Sequence, residues 1–219
     1  MNKIIATAVF CLMSTLATAK DYDVIFDGPY IQAGYGFSSS NADIGFAAGG
    51  YSETYKGGQT GPNGNVTVGY SHDLPGPWNI AANVFYNFGS KNSGQYTWPS
   101  YAYQSTLSNI KGVVLEPGFL VDDNALSYLK LGYATATQGV TVTNGIGISG
   151  GAPGSYSGTV RGFLYGLGFK QQLTGNIFAG IELYQIQFST LSTSVSASST
   201  VITQKPSYTY GGFNVGYTF

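Results

Sequence analysis

The chain has 219 residues, with 9 Lys or Arg against 10 Asp or Glu and a formal net charge of −1. Charged residues make up only 9% of it, against ~25% in soluble domains, while there are 32 Gly, 18 Tyr and 13 Phe. This balance offers no basic patch for nucleic acid, and too little charge for an ordinary water-facing surface.

Residues 1–19, MNKIIATAVFCLMSTLATA, have the form of a cleaved secretory signal. Lys3 is the positive n-region, Ile4 to Leu16 the apolar stretch and Ala17-Thr18-Ala19 an A-x-A cleavage site. The apolar stretch is shorter than the ~20 residues of a spanning helix. Cys11, the only cysteine, lies inside it, so the mature chain has no disulfide or thiolate site. The mature chain is expected to be one domain, 20–219, carrying 8 basic and 10 acidic residues once Lys3 is removed. It holds no apolar run near ~18 residues, which rules out helical spans. An exported, aromatic-rich, charge-poor chain without such a span has one membrane solution, a closed β-barrel, because lipid tolerates no unpaired backbone.

Period-2 alternation supports this along the chain. YIQAGYGF (30–37) sets Ile31, Ala33, Tyr35 and Phe37 against Gln32, Gly34 and Gly36. GNVTVGY (64–70) sets Val66, Val68 and Tyr70 against Asn65, Thr67 and Gly69. NIAANVFYNFG (79–89) sets Ile80, Ala82, Val84, Tyr86 and Phe88 against Ala81, Asn83, Phe85 and Asn87. Around 105–119, Val113, Leu115 and Phe119 oppose Glu116 and Gly118. Lys111 falls on the apolar side there, above the membrane or beside a parity-resetting bulge. SYLKLGY (127–133) and RGFLYGLGFK (161–170) alternate cleanly. In NIFAGIELYQIQF (176–188), Ile177, Ala179, Ile181 and Leu183 oppose Glu182, and the apolar set then changes to Tyr184, Ile186 and Phe188. The last strand, GGFNVGYTF (211–219), places Phe213, Val215, Tyr217 and Phe219 on one face.

The expectation is an all-β fold: a closed, antiparallel, eight-stranded transmembrane barrel with strands of ~10 residues. Ten strands follow if 46–56 forms an extra hairpin. The connections 71–78, 121–125 and 172–176 are short. The segments 38–63, 90–104, 139–157 and 189–206 are rich in Gly, Ser, Thr and Asn and are expected to be long loops. Short periplasmic turns alternating with long outer loops put both termini in the periplasm.

The opening YIQAGYGF, the central YLKLGYA (128–134) and the closing FNVGYTF (213–219) resemble the eight-stranded outer-membrane barrels of the OmpA, OmpX and opacity-protein type. The resemblance covers about 29–219, as a porin-family barrel without a periplasmic domain. It implies that Phe213, Val215, Tyr217 and Phe219 act as the signal read by the barrel-assembly machinery. OmpA itself continues into a peptidoglycan-binding domain. This sequence stops at Phe219, so wall anchoring is not expected.

Several patterns invite chemistry. GIGISG (145–150) fits G-x-G-x-x-G but runs into Gly151, Ala152, Pro153 and Gly154 rather than a helix, and reads as a loop tip. His72 beside Asp73 lies in a turn with no second His or Cys for catalysis or metal. Trp78, Trp98, Tyr101 and Tyr103 suit an interfacial girdle. The sharper set is Glu116, Lys130, Lys170 and Glu182, all on inward faces. Glu116 with Lys130, and Lys170 with Glu182, lie across short turns and are expected to pair, as a lumen plug or as a pore constriction. No enzyme activity, cofactor, metal or nucleic acid is expected. The expected product is a monomer in outer-membrane lipid, supporting envelope integrity and presenting loops to an extracellular ligand, host or phage. The alternative is a small, low-conductance porin.

Overall fold

The computed structural model describes residues 25–48, 51–98, 101–143, 154–195 and 200–219. Residues 1–19 and GIGISG lie outside them. The strands are β1 (Gly28–Ala48), β2 (Tyr51–Asp73), β3 (Trp78–Trp98), β4 (Tyr101–Asp122), β5 (Ala125–Thr143), β6 (Gly154–Thr174), β7 (Ile177–Phe188), β8 (Leu191–Val195) and β9 (Thr200–Thr218). Each pairs antiparallel with its neighbour, and β9 pairs back onto β1 to close the ring. The short β8 pairs with β9 beyond the point where β7 leaves it, so the two share one position and the ring has eight.

The register sets the tilt. One row of paired residues runs from Ile31 through Val68, Val84, Val113, Tyr133, Phe163, Gln187 and Ser207. It returns to β1 at Asn41, ten residues above its start. That rise against the girth of eight strand spacings gives a tilt of ~40° and a backbone radius of ~8 Å. Such a lumen is no wider than the side chains that fill it.

Two expectations about length are corrected. Seven of the strands have 19–23 residues rather than about ten. The segments read as loops are largely paired strand: β1 and β2 stay in register from Gly28↔Ser71 to Ala48↔Tyr51. Residues 46–56 are the end of that hairpin rather than an additional one. The misleading feature was composition. Ser38, Ser40 and Ala42 are small and polar or nearly so, yet they alternate inward and are buried.

The apolar face changes side part-way up several strands. On β7, Ile181 and Leu183 are exposed on the outer face, whereas Tyr184, Ile186 and Phe188 are buried inside. The alternation is unbroken, since Gln185 and Gln187 simply continue the outer face. Leu131 and Tyr133 point out on β5, and Ala136 and Val140 point in. Below the change the outer face is apolar; above it the outer face is polar, and the apolar side chains turn inward to form the ring's own core. The outward apolar belt therefore ends near Phe37, Phe88, Phe163, Leu183 and Phe213.

On β4 the register shifts between Ser108 and Lys111, where Asn109 adopts a left-handed φ of 53°. The bulge lies above Lys111, so Lys111 stays on the outer face with Val113. Tyr103 is buried in a core with Ala42, Ile44, Val140 and Ile202, and is not part of a girdle. Trp78 is exposed against Phe119, with ring centroids 5.2 Å apart. Nothing is described for the side chains of Trp98 and Tyr101.

Candidate functional site

Glu116 on β4, Lys130 on β5, Lys170 on β6 and Glu182 on β7 meet inside the ring, all buried. Lys130 Nζ lies 3.0 Å from Glu116 Oε1 and 2.9 Å from Glu182 Oε1. Lys170 Nζ lies 3.0 Å from Glu116 Oε2. The contacts run Lys170–Glu116–Lys130–Glu182, alternating in sign and summing to zero. The pairing of Lys170 differs from expectation: its carboxylate partner is Glu116, not Glu182. Neighbouring strands on a ~40° tilt climb by ~3 Å per strand, so inward groups at one height come from staggered positions. Lys170 pairs in register with Gly180, which leaves Glu182 two residues higher.

A shell of neutral donors completes the cluster. Tyr128 Oη donates to Glu182 Oε1 at 2.7 Å, and Gln32 Nε2 donates to the same oxygen at 2.9 Å. Tyr30 Oη donates to Glu116 Oε2 at 3.3 Å and accepts from Asn83 Nδ2 at 2.9 Å. The Lys170 ammonium sits 4.5 Å and 4.6 Å from the ring centroids of Tyr128 and Tyr30. An unpaired charge inside a sealed ring would cost several kcal/mol. Here each charge has at least one opposite partner. Tyr30 and Gln32 were not singled out as cluster members because they carry no charge to mark them, and only the closed ring brings them to Glu116 and Glu182.

Apolar layers close the lumen on both sides of the charges. Phe26, Leu120, Leu126 and Phe178 pack with Tyr30 and Tyr128 on the short-turn side. On the other side Phe85, Leu107, Leu164, Tyr184 and Tyr210 form a larger layer, with Tyr184 stacked 5.0 Å from Tyr210. Further out, Gln138 Nε2 donates to Gln204 Oε1 at 2.7 Å and to Ser93 Oγ at 3.1 Å, all buried. The inward face is therefore not uniformly small or polar. Glycines make room for the large rings: a Cβ at Gly168 or Gly216 would collide with Tyr128 or Phe178.

His72 and Asp73 do not work together. His72 Nδ1 is 2.9 Å from Asp27 Oδ1, whereas Asp73 accepts the backbone N–H groups of Ile25 and Phe26 and bonds Asn79 at 2.6 Å. Among the described residues, no three His, Cys, Asp or Glu side chains are grouped to hold a metal. At the other end of the chain, Phe213, Val215, Tyr217 and Phe219 lie on the outer face of the strand that closes the ring. The N–H of Phe219 donates to the Pro29 carbonyl at 2.8 Å.

The sequence matches the family model for the outer membrane protein beta-barrel domain over residues 5–219. The chain belongs to this family. No curated protein matches it. Among solved structures, the outer-membrane protease OmpT of Escherichia coli is 10% identical. The match covers 92% of this chain and 100% of that one at a TM-score of 0.50. OprG of Pseudomonas aeruginosa is also 10% identical, covering 91% and 100% at a TM-score of 0.50. The attachment invasion locus protein Ail of Yersinia pestis is 14% identical, covering 86% and 99% at a TM-score of 0.39. These are likenesses of fold. Membership in the outer-membrane barrel family identifies the exposed belt of Phe, Tyr, Val and Leu as the lipid-facing surface.

Proposed function

We propose that this protein is a non-conducting, non-enzymatic barrel of the bacterial outer membrane that carries a stiff extension outside the cell. The observation behind this is the inversion of the apolar face. Above the belt the ring continues for about ten residues per strand, with its own core of Ala42, Ile44, Tyr103, Val140 and Ile202. An extension of that length rises roughly 25 Å at the ~40° tilt. It would hold hairpin ends clear of the lipid surface for contact with an extracellular ligand. The ends with short turns, and both termini, then face the periplasm, as in related barrels. Export would use residues 1–19 as a cleaved signal, leaving a domain of 20–219.

The ion cluster serves as the plug of this barrel, and the layers at Tyr30–Phe178 and Tyr184–Tyr210 seal it. The outward row Phe213, Val215, Tyr217 and Phe219 serves as the assembly signal. Replacing 40–59 with a tight turn tests the presentation role. The barrel should still fold and migrate in its heat-modifiable form, while binding of cells to host surfaces or phage is lost. Full binding by the shortened protein would refute the role of this hairpin.

A further inference from the structure

We propose that the mouth of the extension is a binding site for an uncharged saccharide, formed where the β1–β2 and β3–β4 hairpins face each other. The register gathers the residues. Tyr103 is buried on the inner face of β4, and Tyr101 lies two residues away on the same strand. Trp98 pairs with Tyr101 and Tyr96 with Tyr103, so all four share the inner face of that hairpin. Buried Gly94 and exposed Gln95 show the same parity on β3. On the other hairpin Ile44 is buried, which assigns Phe46 to the inner face as well. Glu53 pairs with Phe46, and Tyr51 pairs with Ala48, two residues beyond Phe46. Five aromatic residues other than Tyr103 or Tyr55 thus meet one carboxylate on two inner faces at the far end of the ring.

Two glycines bring the hairpins together below this group. A Cβ at Gly57 would collide with the Gly94 backbone, and a Cβ at Gly94 would collide with Ile44. The Asn92 N–H donates to Gln59 Oε1 at 3.2 Å, and the Lys91 ammonium donates to the Pro62 carbonyl. Among the described residues, β2 and β3 have no ladder pair beyond Asn65↔Asn87. Strand β2 instead keeps β1 to its end, and β3 keeps β4. The hairpins therefore meet face to face at Gly57 and Gly94, not edge to edge. The saccharide enters the cleft above that contact along the unpaired seam.

Chemistry selects the occupant. Phe46, Tyr51, Glu53, Tyr96, Trp98 and Tyr101 include no cation and no Leu, Ile or Val. A sulfated or otherwise anionic glycan requires cations. A membrane-inserting tip turns its apolar residues outward, whereas these share inner faces. A neutral pyranose presents an apolar face of C–H groups edged by hydroxyls. Tyr and Trp combine an apolar body with a polar handle and match both parts. Glu53 adds a strong acceptor for sugar hydroxyls. Trp98 and Tyr101 have the composition of a membrane girdle, but they end β3 and β4 far from the lipid belt and are free for this role. That the mouth faces out of the cell rests on the orientation proposed above.

Binding of the refolded barrel to an array of neutral and sulfated oligosaccharides tests the site independently of orientation. Wild-type protein should bind neutral glycans in preference to sulfated ones. The W98A/Y101A double variant should lose that affinity by about tenfold or more, and K205Q, on the outer face, should leave it unchanged. Heat-modifiable migration checks that each variant is folded. The chain has two Trp, Trp78 and Trp98, at opposite ends of β3. In a Trp78→Phe variant, the tightest-binding neutral glycan should therefore shift the emission of Trp98. No binding to any neutral glycan, a preference for sulfated ones, equal binding by the double variant, or unshifted Trp98 emission at saturation would each overturn the proposal. Labelling of a Thr60→Cys variant by an impermeant maleimide on intact cells tests the orientation separately. Labelling supports an outward mouth, and its absence refutes that orientation while leaving the site itself to the array.

Discussion

Lys170 is bound to Glu116 at 3.0 Å, across two strand boundaries, rather than to the Glu182 that the β6–β7 turn brings onto the next strand. Glu116 is therefore the carboxylate shared by both lysines, and Glu182 bridges only Lys130. Removing Glu116 leaves Lys170 with no carboxylate and Lys130 with one, whereas removing Glu182 leaves both lysines on Glu116. Glu116→Ala should cost about 3–5 kcal/mol, the range for breaking a buried ion pair from one side. Glu182→Ala should cost less. Urea unfolding of the refolded barrel in lipid vesicles, followed by gel migration, gives the comparison. Equal midpoints for the two variants would mean that the shared position of Glu116 carries no energetic weight.

The rings beneath the cluster depend on missing side chains opposite them. Gly168 faces Tyr128, whose hydroxyl bonds Glu182, so Gly168→Ala displaces a ring that the cluster uses. Overpacking of this kind costs about 1–3 kcal/mol. Gly76 has open space around the position of a Cβ, but its φ of 79° strains any other residue. Gly61, without such a φ and contacted only by the far end of Lys91, is the better control. Gly61→Ala should leave the unfolding midpoint within about 0.5 kcal/mol of wild type. A Gly168→Ala barrel as stable as that control would show the ring to be free to move.

In the proposed reading the inversion of the apolar face is the edge of the membrane, and arginine scanning tests this. Leu131→Arg places a guanidinium in the outward belt, where the cost is ~2–4 kcal/mol near the bilayer midplane. Gln187→Arg places one on the outer face of β7 above the belt, and should be close to neutral. Refolding yield and unfolding midpoint in vesicles read both. A neutral Leu131→Arg would place that residue outside hydrocarbon.

Phe219 is largely exposed at 70%, and its backbone N–H, not its ring, bonds β1. Its ring meets Tyr217 edge-on, with centroids 5.0 Å apart. Phe219→Ala should leave the refolded barrel nearly as stable as wild type but slow its assembly in cells several-fold. Pulse-chase accumulation of the heat-modifiable form measures this. Unchanged assembly kinetics would remove the docking role from Phe219.

The membrane-spanning half of the ring was legible in the alternation itself. Outward Ile31, Val68, Val84 and Phe163 and inward Gln32, Thr67 and Asn83 follow it without exception. The outer half was harder to read. Its outward residues are Ser, Thr, Gln and Gly, and its inward ones include Ser38, Ser40 and Gln138, so both faces have the composition of a loop. The change to Tyr184, Ile186 and Phe188 on β7 looked like lost register, yet it recorded the strand leaving the lipid. The inward position of the four charges followed from parity. Their partners did not, because pairing across the lumen depends on the ten-residue shear, which is visible only once β9 meets β1. The parity of Lys111 suggested a bulge nearby, but not its place at Asn109, since a left-handed Asn needs no special neighbours in sequence.

Single-channel recording in a planar bilayer tests the sealed lumen most directly. With Phe85, Tyr184 and Tyr210 above the ion cluster and Phe178 below it, the refolded wild-type barrel should insert and stay electrically silent. Discrete current steps from the wild type, changed in size by Lys130→Ala or Glu116→Ala, would contradict the plug and make the charge cluster the constriction of a pore.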